Sequence, residues 1–178
     1  NAYTAVEANT TIAFVVSPTK EYDAADINRL REFVRAGGTL VVAEDFGPGG
    51  DNILRSVGAQ TRFDGRLVRD PRTHGPTTAM PVAEVTNTSR LPGTDAIMLN
   101  HGTTLKPANT TVLVETSEFA YLDRDGDGEM DSNESFRRYP VVATESVGDG
   151  RVVAVSDASV LINAMLDRPD NRKFAANL

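Results

Sequence analysis

Between Asp123 and Glu134 the chain reads Asp-Arg-Asp-Gly-Asp-Gly-Glu-Met-Asp-Ser-Asn-Glu, a spacing that fits a calcium-binding loop position by position. Asp123, Asp125 and Asp127 alternate, so their carboxylates converge on one side, where oxygens can surround an ion at about 2.3–2.6 Å. Gly128 permits the sharp turn that aims the carbonyl of Glu129 inward. Met130 supplies the apolar position and is expected to tuck beneath the loop. Asp131 would act through a water, and Glu134 is long enough to reach back and bind with both oxygens. An acidic surface turn would explain the carboxylates, but not the glycine, the apolar residue and the terminal glutamate together. Without a cation, carboxylates brought within about 4–6 Å of one another resist ionisation. The expected metal is calcium, held by Asp123, Asp125, Asp127, Glu129, Asp131 and Glu134. The flanking residues read as strands, so the loop is expected to clip a long hairpin instead of opening a pair of helices.

A second constellation lies where apolar runs end in polar residues: Ser17, Glu44-Asp45, Asn100-His101 and Ser156-Asp157. In an open parallel sheet such ends ring the crevice where ligands bind. Glu44, Asp45 and Asp157 with His101 would then be the acids and base of a carboxylate-based hydrolase or saccharide-processing enzyme. The same residue types also serve as turn formers and helix caps, and Asp157 or Ser159 can cap the helix that follows. The rest of the catalytic inventory is thin. There is no cysteine, no G-x-S-x-G elbow and no H-E-x-x-H, and His74 sits in the loop Thr73-His-Gly-Pro76. Gly47-Pro-Gly-Gly50 precedes a helix start but lacks both the phosphate-loop lysine and the dinucleotide fingerprint.

The elements that must position these groups belong to one domain, residues 1–178, with 40% hydrophobic side chains and no membrane-length apolar run. The net charge is −7, and −5 of it lies in the acidic loop, which argues against a nucleic-acid surface. Thr11–Val16 reads as a strand buried on both faces and ended by Pro18. Asp23 is placed to cap a helix whose apolar face is Ile27, Leu30, Phe33 and Val34, ended by Gly37-Gly38. Thr39–Asp45 is the next strand, completing a βαβ unit. Asp51 is placed to cap a short helix that stops at Gly58. Brief strand-like pieces follow at 62–63, 66–68 and 82–86. Further strands are expected at Ala96–Asn100, Thr111–Leu122, Tyr139–Glu145 and Arg151–Ser156, the last two joined by a turn at Val147-Gly-Asp-Gly150. Helix is expected from Ala158 to Leu166 and again from Asp170. This order predicts an α/β three-layer sandwich with a mostly parallel central sheet and a strand-rich second half.

The run Arg35-Ala-Gly-Gly-Thr-Leu-Val-Val-Ala-Glu-Asp45, Asn52-Ile-Leu, and the stretch Gly150-Arg-Val-Val-Ala-Val-Ser-Asp157 through Leu161-Ile-Asn163 to Asp170-Asn171 resemble archaeal DUF4350-type domains. The resemblance implies a flavodoxin-like or class I glutamine-amidotransferase-like fold, membrane-tethered and facing outward in a haloarchaeal setting. It implies no reaction, since the amidotransferase cysteine has no counterpart. Scarce lysine points the same way as the halophilic setting, and sequons at Asn9, Asn87, Asn109 and Asn133 agree with an extracytoplasmic location. The chain begins without Met and stops within a helical run, which suggests a domain cut from a longer anchored protein. The expected function is non-enzymatic: a calcium-stabilised domain that binds a small ligand or an envelope partner, with no membrane insertion of its own.

Overall fold

Asp23 starts the first helix, its carboxylate accepting the Asp26 N–H at 2.8 Å. Helix α1 runs Ala24–Arg35 between strands β1 (Ile12–Val16) and β2 (Thr39–Ala43), and β1 and β2 pair in parallel. Gly37 leaves the helix at φ 101°, a left-handed conformation that glycine adopts without strain. Replacing the cap by Asp23→Ala is expected to cost about 1 kcal/mol, measurable as a lower urea midpoint with unchanged slope.

The computed structural model describes residues 6–178. Helix α2 spans Gly49–Val57, and Asp51 lies inside its first turn instead of capping it, its carboxylate accepting the Phe63 N–H. Short strands follow: β3 (Arg62–Phe63), β4 (Leu67–Arg69), β5 (Val82–Val85), β6 (Ala96–Met98) and β7 (Leu105–Lys106). Then come β8 (Thr111–Glu115), β9 (Tyr121–Asp123), β10 (Pro140–Val147) and β11 (Gly150–Val155). A 3-10 turn at Ala158–Leu161 leads into α3 (Asn163–Leu166) and α4 (Asn171–Asn177).

The main sheet has seven strands in the order β1-β2-β11-β10-β8-β5-β6. Only β1–β2 and β2–β11 pair in parallel; the other four pairings are antiparallel. The sheet is therefore mixed, mostly antiparallel, and curls into a half-barrel with few helices. This corrects the expected three-layer, mostly parallel sandwich of flavodoxin-like or amidotransferase-like type. The reason is connection length. A parallel pair needs a crossover of a dozen residues or more, whereas tight turns such as the one joining β10 to β11 at Val147 and Gly150 force an antiparallel pair. Register shifts in β10 against β8, between Pro140 and Ala143, add to the bending.

Side-chain alternation divides the core between the two faces of the sheet. Leu40, Val42, Val152 and Ala154 pack with Val34, Ile53, Leu54 and Val57 of α1 and α2. Val41, Ala43, Val153 and Val155 pack on the other face with Leu122, Tyr139, Phe174 and Leu178. Two expectations fail at the strand level. The run 111–122 is two strands, β8 in the main sheet and β9 paired with β4 in a separate two-stranded sheet. And β1 is an edge strand, not a strand buried on both faces: Ile12, Phe14 and Val16 are exposed.

Candidate functional site

The acidic loop begins on the last residue of β9. Asp123 is buried there, its Oδ2 paired with Arg69 Nε at 2.6 Å and its Oδ1 accepting the Gly126 N–H at 2.7 Å. The chain then winds back on itself through its own carboxylates. Asp125 accepts the Asp127 N–H, and Asp127 accepts the Glu129 N–H at 2.8 Å. Gly128 holds φ 86°, where a side chain would be strained, and its carbonyl accepts the Tyr121 hydroxyl at 2.8 Å. Glu134, 9% exposed, folds back across the loop, accepting the Arg124 N–H on Oε1 at 2.7 Å and the Asp131 N–H on Oε2 at 3.2 Å.

As a result, one oxygen each from Asp123, Asp125 and Glu134 lies within 4.8 Å of the others, and so do oxygens of Asp125, Asp127 and Asp131. Five of the six residues expected to hold calcium thus fall into two triads that share Asp125. Glu129, expected to act through its carbonyl, contributes no carboxylate to either. The electrostatic cost is visible at Asp131, whose carboxyl is raised chiefly by Asp125, then by slight burial, Asp127 and Glu134. Two expectations are corrected. Met130 is exposed instead of tucked beneath the loop. And the loop does not cap a long hairpin, because β9 pairs with β4 while β10 pairs with β8 and β11. The loop ties the small sheet to the large one.

Sequence reasoning missed Arg69, which holds Asp123 from β4, 54 residues earlier in the chain. No local pattern marks it. Its guanidinium also lies 3.5 Å from where a side chain at Gly128 would begin, so it supports the loop from beneath.

The strand-end residues divide into two groups. Ser17, Glu44 and Asp45 line a crevice of about 590 Å³ between the segment after β1 and the start of α2, together with Lys20, Tyr22 and Asn52. A side chain at Gly49 would begin 2.4 Å from the Pro18 carbonyl, so glycine there lets the two walls approach. Glu44 is buried and turned under the Gly47–Gly50 loop: its Oε1 accepts the Asp45 N–H at 3.1 Å, and the Gly47 amide also bonds it. Its own carboxylate therefore occupies the place where that loop would have cradled an anion.

Burial, above all, raises the Glu44 carboxyl, outweighing the amides that bond it; the neighbouring Asp45 carboxyl raises it further. A carboxyl raised on folding is protonated more readily folded than unfolded. Its contribution to stability is therefore fully present below the ordinary glutamate value of 4.5 and is lost as pH rises through the raised value. Glu44→Gln is expected to flatten this part of the loss, measured by urea unfolding at a series of pH values between acid and neutral.

Asp157 and His101 do not line the crevice. Asp157 is fully buried and caps the 3-10 turn, its Oδ1 accepting the Ser159 N–H at 2.8 Å and the Ser159 hydroxyl at 2.6 Å, while its Oδ2 accepts the Asn100 N–H. Burial raises its carboxyl despite these bonds. His101 is exposed in a left-handed turn at φ 62°, its Nδ1 3.2 Å from Asn100 Oδ1. His74 lies beside the Gly75 carbonyl, also exposed.

In its fold the chain is similar to the mmIFT52 N-terminal domain (TM-score 0.71, 14% identity, covering 93% of this chain and 73% of that one). It is also similar to Cytoplasmic Protein STM3548 from Salmonella typhimurium (TM-score 0.54, 11% identity, 93% and 68%). Against exo-beta-1,4-mannosidase Op5Man5 from Opitutaceae bacterium strain TAV5, the chain spans only 24% of that enzyme's length, with 94% of its own residues covered, 14% identity and a TM-score of 0.47. No curated protein is similar to it in sequence. The sequence model of one family matches all of residues 1–178, and the chain belongs to that family, DUF4350, a domain of unknown function.

Proposed function

We propose that this is a calcium-clipped, non-catalytic binding domain, displayed on the extracytoplasmic side of a haloarchaeal membrane by segments outside these residues. It takes a small polar ligand or an envelope partner at the strand-end crevice. The observation that carries the calcium reading is the convergence of Asp123, Asp125 and Glu134 oxygens within 4.8 Å of one another. Carboxylates so close are stabilised in their charged form by a divalent cation, and a hard ion with oxygen ligands suits them. Asp127, Asp131 and the Glu129 carbonyl would complete the shell.

The binding reading is supported by how the acids are spent. Asp157 caps a turn and Glu44 satisfies loop amides, while Asp45, with one oxygen on the Phe46 N–H, lines the crevice with Lys20 and hydroxyls. One observation favours the alternative of a carboxylate-based hydrolase: Glu44 and Asp45 are neighbours in the crevice, and the Asp45 carboxylate adds to the burial that raises the Glu44 carboxyl. No imidazole base stands with them. The calcium reading is tested by titrating the ion into the protein by calorimetry. The expected outcome is one bound ion per chain, with affinity falling at least about tenfold in Glu134→Gln. Heat from the wild type that matches the variant's would sink the proposal.

A further inference from the structure

The two edges of the main sheet are treated differently. At β6 the backbone of Met98 is occupied by a side chain: Asn171, fully buried, accepts the Met98 N–H at 2.9 Å and donates to its carbonyl at 3.0 Å. At β1, among the described residues, no strand pairs with the outer edge. The ladder to β2 fixes which groups are left over. Thr39 N–H bonds the Thr11 carbonyl and Ser17 N–H bonds the Ala43 carbonyl, so odd-numbered residues of β1 face β2. By the alternation of a parallel ladder, the N–H and C=O groups of Ile12, Phe14 and Val16 point outward.

These are also the residues whose side chains are exposed, by 44%, 48% and 44%. They lie on the face where Val41 and Ala43 of β2 are already covered. Edge strands are ordinarily blunted by charge, proline or a bulge, and Ile-Ala-Phe-Val-Val contains neither a charge nor a proline.

We propose that β1 is a self-association edge, pairing antiparallel with β1 of a second copy about a two-fold axis at Phe14. The pattern is self-complementary. With Phe14 opposite Phe14, Ile12 of each copy faces Val16 of the other, and every outward N–H finds an outward carbonyl. The two apolar stripes then lie side by side on one face of a continuous sheet, so one contact satisfies both the backbone and the exposed side chains. No charge lies within the strand, so the net charge of −7 sets no like charges directly opposite. The side chains offer roughly 250 Å² per copy. The roughly 500 Å² from both copies together falls short of the ~1,200 Å² total of a standard interface, so the dimer is weak and depends on concentration.

Sedimentation velocity with calcium present tests this, from about 10 µM to about 1 mM protein. The wild type is expected to dimerise with a Kd of roughly 10–100 µM. Phe14→Lys and Phe14→Glu, both at a surface position and so folded, are each expected to weaken it at least about tenfold, because like charges meet at the axis. An equimolar mixture of the two variants should dimerise again. A wild type that stays monomeric at the highest concentration overturns the proposal, as does a wild-type dimer that either variant leaves intact. A mixture that remains monomeric overturns the two-fold register at Phe14. An outer edge covered by another segment of the same chain would appear as the first of these results.

Discussion

Chelating calcium is expected to lower the melting temperature of this domain by roughly 5–10 °C from its value in excess calcium. Mass action sets the size of this shift. A loop of this kind in an extracellular module binds with a Kd of about 10⁻⁴ M. At about a hundred times that concentration, binding stabilises the folded state by about 2.7 kcal/mol. For a domain of this size each kcal/mol moves the midpoint by about 2–4 °C. The shift should saturate with calcium and be much smaller in Asp125→Asn, because Asp125 belongs to both oxygen triads. Removing the ion leaves the loop carboxylates to repel one another, with Arg69 on Asp123 offsetting part of the charge. Differential scanning calorimetry with and without chelator reads this directly. An unchanged midpoint would contradict the structural role given to calcium.

Gly150→Ala is expected to be the most damaging single methyl in the chain, costing about 3 kcal/mol or more. A Cβ there would begin 2.1 Å from the Val34 carbonyl and 2.4 Å from that of Gly38. Both obstacles are backbone, at the end of α1 and the start of β2, so no side-chain rotation relieves the clash. Gly150 opens β11, and the close approach lets β11 slide in beside β2, Arg151 N–H bonding the Gly38 carbonyl at 3.1 Å. The contrasting variant is Gly65→Ala. Nothing lies within 4 Å of its Cβ, although φ there is 81°. It should cost only about 1 kcal/mol, from backbone strain alone. Paired urea unfolding curves give the difference, and equal costs would show that the close packing at residue 150 is not what the structure indicates.

What was legible in the sequence was what is local. The crowding of acids at 123–134 could be read because their spacing brings carboxylates together within twelve residues. The cap at Asp23 and the turn at Val147–Gly150 are equally local, and both appear where the residues place them. Strand direction was not legible beyond the first βαβ unit. Strands of two or three residues, such as β3, β4 and β9, carry no periodicity from which to infer a partner. A continuous apolar run also looks the same whether it ends up central or at an edge. Thr39–Ala43 is covered on both faces, while Ile12–Val16 leaves three side chains exposed. Nor did any local signal announce Arg69 under Asp123 or Asn171 on Met98, which are long-range contacts. Strand-end acids proved the least readable. Asp45 faces the crevice, whereas Asp157 is consumed by a cap, and both sit just past the end of a strand.

On this reading, one divalent ion organises the acids between Asp123 and Glu134. A crystal structure grown in millimolar calcium tests it most directly, using anomalous scattering to identify the ion. A single calcium is expected at about 2.3–2.6 Å from oxygens of Asp123, Asp125, Asp127 and Glu134 and from the Glu129 carbonyl. An ordered loop with no ion and its carboxylates turned to solvent would contradict it.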